Sequence, residues 1–206
     1  MIVALVDYGR APADWWERAR ALSTEVDALI LRAKQESAGR QWELAVQAAA
    51  LSCPVWLADR ADVARAAGLA GVHLPEDGLR PEAVRAWWPG AFVSRAVHAV
   101  PETALVRGAD VRVFGHLFET RSKPGLPPRG AGAARAVVEG APCPVLGIGG
   151  VRAERVSALA GSGLAGVVAA DALFLADDPA AAARRLRQAW AQVVRDRDGE
   201  RRPERP

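Results

Sequence analysis

Cysteine is scarce. Two in 206 residues, Cys53 and Cys143, are too few for a disulfide framework and point to an intracellular protein. Asparagine is absent, and only two of the 27 basic residues are lysine, Lys34 and Lys123. In a chain that uses arginine by default, each lysine marks a place where a compact ammonium is wanted. No apolar run approaches the ~18–20 residues of a membrane span. The opening Met-Ile-Val-Ala-Leu-Val-Asp-Tyr lacks the basic region and cleavage site of a signal peptide, so the expected location is the cytoplasm. Metal-ligand spacing is also missing: the cysteines are far apart, the histidines are isolated and no His-Glu-x-x-His occurs. There is no P-loop and no Gly-x-Gly-x-x-Gly after the first apolar run. Neither a metal nor another cofactor is expected. With a net charge of +3 and no helix-turn-helix, zinc finger or aromatic RNA-binding motif, no nucleic-acid partner is expected either.

What is present reads as an ordinary globular chain, 50% hydrophobic and 25% charged, of a length suited to one domain. Residues 197–206 hold four arginines interrupted by three acids. That stretch is expected to be a solvated tail beyond a domain covering residues 1–196.

Short apolar runs alternate with amphipathic stretches along the domain. Strands are expected at Ile2–Val6, Ala28–Leu31, Val55–Leu57, Gly71–Leu74, Phe92–Arg95, Val111–Phe114, Val145–Ile148 and Gly166–Ala169. Helices are expected near 12–23, 38–51, 60–68, 80–88, 101–107, 129–138, 151–161 and 178–194. Eight β units, each followed by an α unit, give the α/β class and a single (β/α)8 TIM barrel. The chain also echoes itself. Cys53-Pro-Val recurs at Cys143, and Gly68-Leu-Ala-Gly-Val recurs at Gly163, as two half-barrels of four units would. The echo places both cysteines where strands enter the barrel, opposite the usual active-site face, as small buried hydrophobes.

Chemistry in such a barrel sits on the loops after the strands. Those loops collect Arg32 and Lys34, Asp59 and Arg60, His73 and Glu76, Arg95 and His98, then His116, Glu119, Thr120, Ser122 and Lys123. Gly149, Gly150 and Asp171 follow the last two strands. Both lysines and all three histidines are in this set. His73 also reads as a satisfied core histidine, His98 as a helix cap, and Asp59 with Arg60 as a helix-start pair. His116, at the edge of an apolar strand before a polar loop, is the strongest acid/base candidate, because imidazole takes and returns protons near neutrality. Ile148-Gly-Gly-Val before a helix has the form of the barrel phosphate site, with backbone N–H groups and a helix N-terminus toward an anion.

The motifs Leu31-Arg-Ala-Lys, Ala58-Asp-Arg-Ala-Asp, Gly71-Val-His-Leu, Arg95-Ala-Val-His, Phe114-Gly-His-Leu-Phe-Glu-Thr-Arg-Ser-Lys and Leu146-Gly-Ile-Gly-Gly, in this order, resemble the thiamin phosphate synthase superfamily. Within it, Phe-Gly-His-x-Phe-Glu-Thr resembles the TenI-type thiazole tautomerases, since synthases usually carry proline where His116 stands. Other departures run the same way. Ala58 replaces the asparagine of a synthase Asn-Asp-Arg triplet, and Ala96 replaces a pyrophosphate-binding serine. Glu76 stands where synthases carry glutamine, and Asp77 or Gly78 where they carry a magnesium-binding aspartate.

The resemblance implies a homodimeric isomerase that aromatises a thiazole phosphate carboxylate by a proton shift, with His116 as the acid/base. Arg32, Lys34, Asp59, Arg95, Thr120, Ser122 and Lys123 would then bind substrate. Gly149, Gly150, Ala170 and Asp171 would cradle the phosphate, although a carboxylate at 171 opposes an anion unless it turns away or pairs with an arginine. Two alternatives remain: thiamin phosphate synthase itself, joining a pyrimidine pyrophosphate to a thiazole phosphate, and a non-catalytic barrel that binds phosphate esters.

Overall fold

All eight apolar runs form strands, and they close in chain order into a parallel barrel in a computed structural model of the chain. The structure describes residues 1–100 and 106–200, leaving aside the side chains of 197–200. The strands are β1 (Ile2–Asp7), β2 (Ala28–Arg32), β3 (Val55–Ala58), β4 (Gly71–Leu74), β5 (Phe92–Val97), β6 (Val111–Gly115), β7 (Val145–Ile148) and β8 (Gly166–Ala169). Closure comes from β8 against β1, with Ile2, Val3 and Ala4 opposite Val167, Val168 and Ala169. Around the barrel lie α1 (Trp15–Ser23), α2 (Ala38–Ala48), α3 (Ala61–Ala66), α4 (Pro81–Trp87), α5 (Gly130–Glu139), α6 (Asp171–Phe174) and α7 (Pro179–Glu200).

Three expectations need adjustment. Ala153–Leu159 is 3-10 and not α-helical, with i→i+3 bonds such as Arg155 N–H to Arg152 O at 3.0 Å; short connecting segments adopt this tighter form. The short α6 after β8 and a 3-10 turn at Tyr8–Arg10 were not expected. The last helix runs on to Glu200, into the stretch read as a tail. Of the helix expected at 101–107, residues 101–105 lie outside the described residues, as do 201–206.

Period-two alternation sorts each strand between two apolar layers. Val3, Ala28, Ile30, Trp56, Val111, Val113, Leu146 and Val168 pack inside the barrel. Leu29, Leu31, Leu57, Phe114 and Val167 face out and join the layer under the helices. The register sets Trp56, Gly71 and Phe92 side by side on three strands, and the two rings stack at 4.4 Å and 12° across the glycine row. The repeated Gly-Leu-Ala-Gly-Val does the same work twice. Gly68 and Gly163 turn with φ of 73° and 75°, a conformation that favours glycine. Gly71 and Gly166 then open β4 and β8, where a Cβ would strike the carbonyls of Phe92 and Met1.

The opposite end of the barrel is clamped by Asp27. Its Oδ2 accepts from Ile2 N–H at 2.6 Å, its own N–H donates to Ile2 O at 2.8 Å, and Oδ1 pairs with Arg187 of α7 at 3.0 Å. Both cysteines lie just before strands; Cys53 is buried and Cys143 half-buried. Burial pushes the Cys53 thiol up to about 11, which leaves it protonated and unreactive near neutral pH.

Candidate active site

The alternation that fills the barrel with aliphatics delivers polar side chains at its carboxyl end. In β1 the inward row Val3, Leu5 ends at Asp7, and in β2 the row Ala28, Ile30 ends at Arg32. Asp7 and Arg32 are register partners, and Arg32 Nη1 donates to Asp7 Oδ2 at 2.7 Å. His73 and Ser94 are likewise register partners on β4 and β5, joined Nδ1 to Oγ at 2.9 Å. Burial, reinforced by the nearby Lys34 and Arg95 cations, pushes the His73 imidazole down to about 4, so this ring is neutral at physiological pH.

The same alternation removes Arg95 from the site. Its strand neighbours Val93 and Val97 face outward, and so does Arg95, 2% exposed. Its guanidinium donates to the carbonyls of Glu76 at 2.6 Å, Gly78 at 3.2 Å and Leu79. It ties down the β4–α4 loop and does not line the cleft, which corrects its expected substrate-binding role. On that loop, Glu76 receives His98 N–H at 2.8 Å and His98 Nδ1 at 2.7 Å. Burial alone would raise the Glu76 carboxyl, but these two bonds and the nearby Arg95 hold it below its ordinary value. His98 is therefore paired to a carboxylate, with its ring at the cleft wall.

His116 follows β6 and is 5% exposed. Its Nε2 lies 3.3 Å from Leu126 O, and its Nδ1 is buried without a partner. The loop after it is stitched to the end of β7 through Leu117 N–H to Ile148 O at 2.8 Å and Phe118 N–H to Gly149 O at 3.0 Å. That close approach uses the glycine pair. Gly149 and Gly150 have φ of 98° and 65°, and a Cβ on either would strike His116 or Glu119. No α-helix N-terminus stands behind them, because the following segment is the 3-10 stretch from Ala153.

After β8, Ala170 precedes α6 and Asp171 opens it. Arg10 Nη2 donates to Asp171 Oδ2 at 2.8 Å, so this carboxylate is neutralised by an arginine, and the pair holds Arg10 above its ordinary pKa. Asp7, Arg32, His73, His98, His116, Thr120, Ser122, Lys123, Gly149, Gly150, Ala170 and Asp171 all line one cleft of ≈ 1690 Å³. Lys34 and Asp59 do not line it. They face each other across β2 and β3 at 4.0 Å, with Asp59 at φ 75°, while Arg60 pairs with Asp62 at 2.6 Å. The sequence reading missed Asp7, Arg10, Arg121, Arg152, Arg155 and Arg185 on the lining, and Ser94 buried behind it as the partner of His73. Asp7 and Ser94 were legible from period two; Arg185 comes from a helix far along the chain.

Fold and cleft define a (β/α)8 barrel with its ligand site in the usual place, at the carboxyl ends of the strands. The chain belongs to the thiamine monophosphate synthase family, whose sequence profile matches residues 5–173. It is 39% identical over 170 residues to the thiamine-phosphate synthase of Anaeromyxobacter dehalogenans, covering 79% of this chain and 77% of that one. The enzyme of the same name from Thermus thermophilus is 35% identical over 176 residues, covering 82% and 85%. A solved thiamine phosphate pyrophosphorylase from Pyrococcus furiosus superposes with a TM-score of 0.82 over 94% of this chain and 96% of that one; at 24% identity this bears on the fold.

These relatives overturn the expected activity. They are named as synthases, which are transferases, so the isomerase assignment drawn from the segment around His116 does not stand. The synthase resemblance implies magnesium, and the donors present do not fit it. Asp7, Glu76 and Asp171 are each committed to a cation or an imidazole. Among the described residues no group of three potential ligands forms. Among those residues, too, no helix is long and apolar enough to cross a membrane.

Proposed function

We propose that the protein is a thiamine-phosphate synthase, joining a pyrimidine carried as a methylene diphosphate ester to a thiazole phosphate. The carrying observation is the identity of 35–39% to named synthases over about four-fifths of the chain. The cleft supports it chemically. In the transfer, the thiazole nitrogen forms a bond to the pyrimidine methylene carbon, and the carbon–oxygen bond to the diphosphate breaks with its electron pair. Pyrophosphate leaves.

Such a step needs fixed positive charge where the leaving group gathers negative charge, and two reactants held in line. Arg121 and Lys123 on the β6 loop, Arg152 after β7 and Arg185 on α7 line the cleft and can meet this requirement. Gly149, Gly150 and Ala170 offer main-chain N–H groups to the thiazole phosphate, with Asp171 turned to Arg10. Thr120 and Ser122 supply hydroxyls, and the unpartnered Nδ1 of His116 is available to hydrogen-bond a bound heterocycle. The Asp7–Arg32 pair and the neutral His73–Ser94 pair form the polar floor.

A cytoplasmic location and a homodimer belong to the same proposal and rest on the resemblance. Pyrophosphate release tests it: release must require the pyrimidine diphosphate and the thiazole phosphate together. Release from the diphosphate alone at the same rate would refute it.

A further inference from the structure

The carboxylates at the mouth of the cleft are arranged against a metal ion and the cations in favour of an anion. Asp7 is held by Arg32 at 2.7 Å, and Asp171 by Arg10 at 2.8 Å. Glu76 spends both oxygens on His98. Asp59, facing Lys34 at 4.0 Å, and the exposed Asp77, one of the two positions where the resemblance expects a magnesium-binding aspartate, both stand outside the cleft lining. Glu119 and Glu154 line the cleft without an ion pair, but singly, from two different loops. Magnesium ordinarily leans on one or two free carboxylates together with substrate phosphates. Against these four cleft-lining carboxylates stand seven arginines and lysines. Of these, Arg121, Lys123, Arg152, Arg155 and Arg185 have no carboxylate partner among the described residues, Arg155 lying over the Phe118 ring. Arginine is the side chain that meets phosphate oxygens in paired hydrogen bonds, and lysine adds a point charge.

We propose that this chain binds the diphosphate of its substrate through these side-chain cations, without a divalent metal ion. The inference rests on the synthase reading for the identity of the anion, and on the cleft alone for how the anion is held. At the point where the resemblance expects a serine hydroxyl on pyrophosphate, this chain has Ala96. Two residues on, His98 lines the cleft and gives Nδ1 to Glu76. The charge on the leaving group is thus met by groups already in place, and no metal has to be recruited.

Calorimetric titration of the whole protein with inorganic pyrophosphate tests this, once in excess EDTA and once with magnesium. Binding in EDTA is expected, within about threefold of the affinity measured with magnesium. Lys123→Glu is expected to weaken it by tenfold or more and Lys123→Arg to retain it, while the thermal unfolding midpoint reports that both variants fold. Absence of binding in EDTA with recovery on adding magnesium overturns the inference, as does absence of binding in both. The outcome is separable from the proposed activity. Pyrophosphate bound in EDTA by a protein that does not couple the heterocycles fails the synthase reading alone. Coupling and binding that both require magnesium fail this inference alone.

Discussion

His73 ties the stability of the barrel to pH in a way that can be worked out in advance. An unfolded histidine titrates near 6.5, and the folded ring beside Ser94 titrates at about 4. Below 6.5 the unfolded chain takes up a proton that the folded chain refuses, so stability falls as pH falls. The loss begins near 6.5, approaches about 1.4 kcal/mol per pH unit, and ends near 4, where the folded ring also protonates. Between pH 7 and pH 5 the linkage relation gives a loss of roughly 2 kcal/mol from this group. The carboxylates of Glu76 and Asp27 also titrate in the acid range, but they are present with or without His73 and cancel in a difference. Urea unfolding at pH 7, 6 and 5 for the wild type and His73→Gln is the assay. The variant loses the Ser94 contact at every pH. The stability gap between the two proteins must nevertheless close, or reverse, by roughly 2 kcal/mol on going to pH 5. Parallel curves at all three values would show that the ring is not held neutral, and the description of the cleft floor would be wrong.

Other consequences are more local. Gly149→Ala puts a Cβ at φ 98° against His116 and should cost about 1–3 kcal/mol in denaturant unfolding; a neutral result would show that the glycine pair is not under backbone constraint. Arg95→Leu leaves three loop carbonyls without their donor and should cost about 2–4 kcal/mol, with faster proteolysis at residues 76–79. Asp27→Ala removes the bond to Ile2 and the pair with Arg187. Discounted for its exposure, the loss should be about 1–2 kcal/mol, read from the shift in urea midpoint.

The barrel was legible because its strands are short, mostly apolar and regularly spaced, so their number and order follow from pattern alone. Period two also carried information about the site that the sequence reading left unused. Val93-Ser-Arg-Ala-Val places Ser94 and Ala96 inward and Arg95 outward, so the position of Arg95 near a strand end does not make it a ligand. Asp59 and Lys34 also follow strands, yet they face each other at 4.0 Å outside the cleft lining. The pairs Arg10–Asp171 and His98–Glu76 join residues 161 and 22 positions apart, and no local signal announces them. The activity is not legible in one segment: Phe114–Lys123 resembles an isomerase, whereas likeness over four-fifths of the chain is to named synthases, and a binding cleft is built from all eight strand ends.

The central claim is that the cleft joins two heterocycles with loss of pyrophosphate. The most direct measurement is a single-turnover reaction of the whole protein with equimolar pyrimidine methylene diphosphate and thiazole phosphate, followed by phosphorus NMR and mass spectrometry. Loss of the diphosphate ester signals, matched one for one by free pyrophosphate and by the mass of the coupled thiamine phosphate, is the predicted result. Unchanged substrates, or pyrophosphate formed with no coupled product, would contradict it.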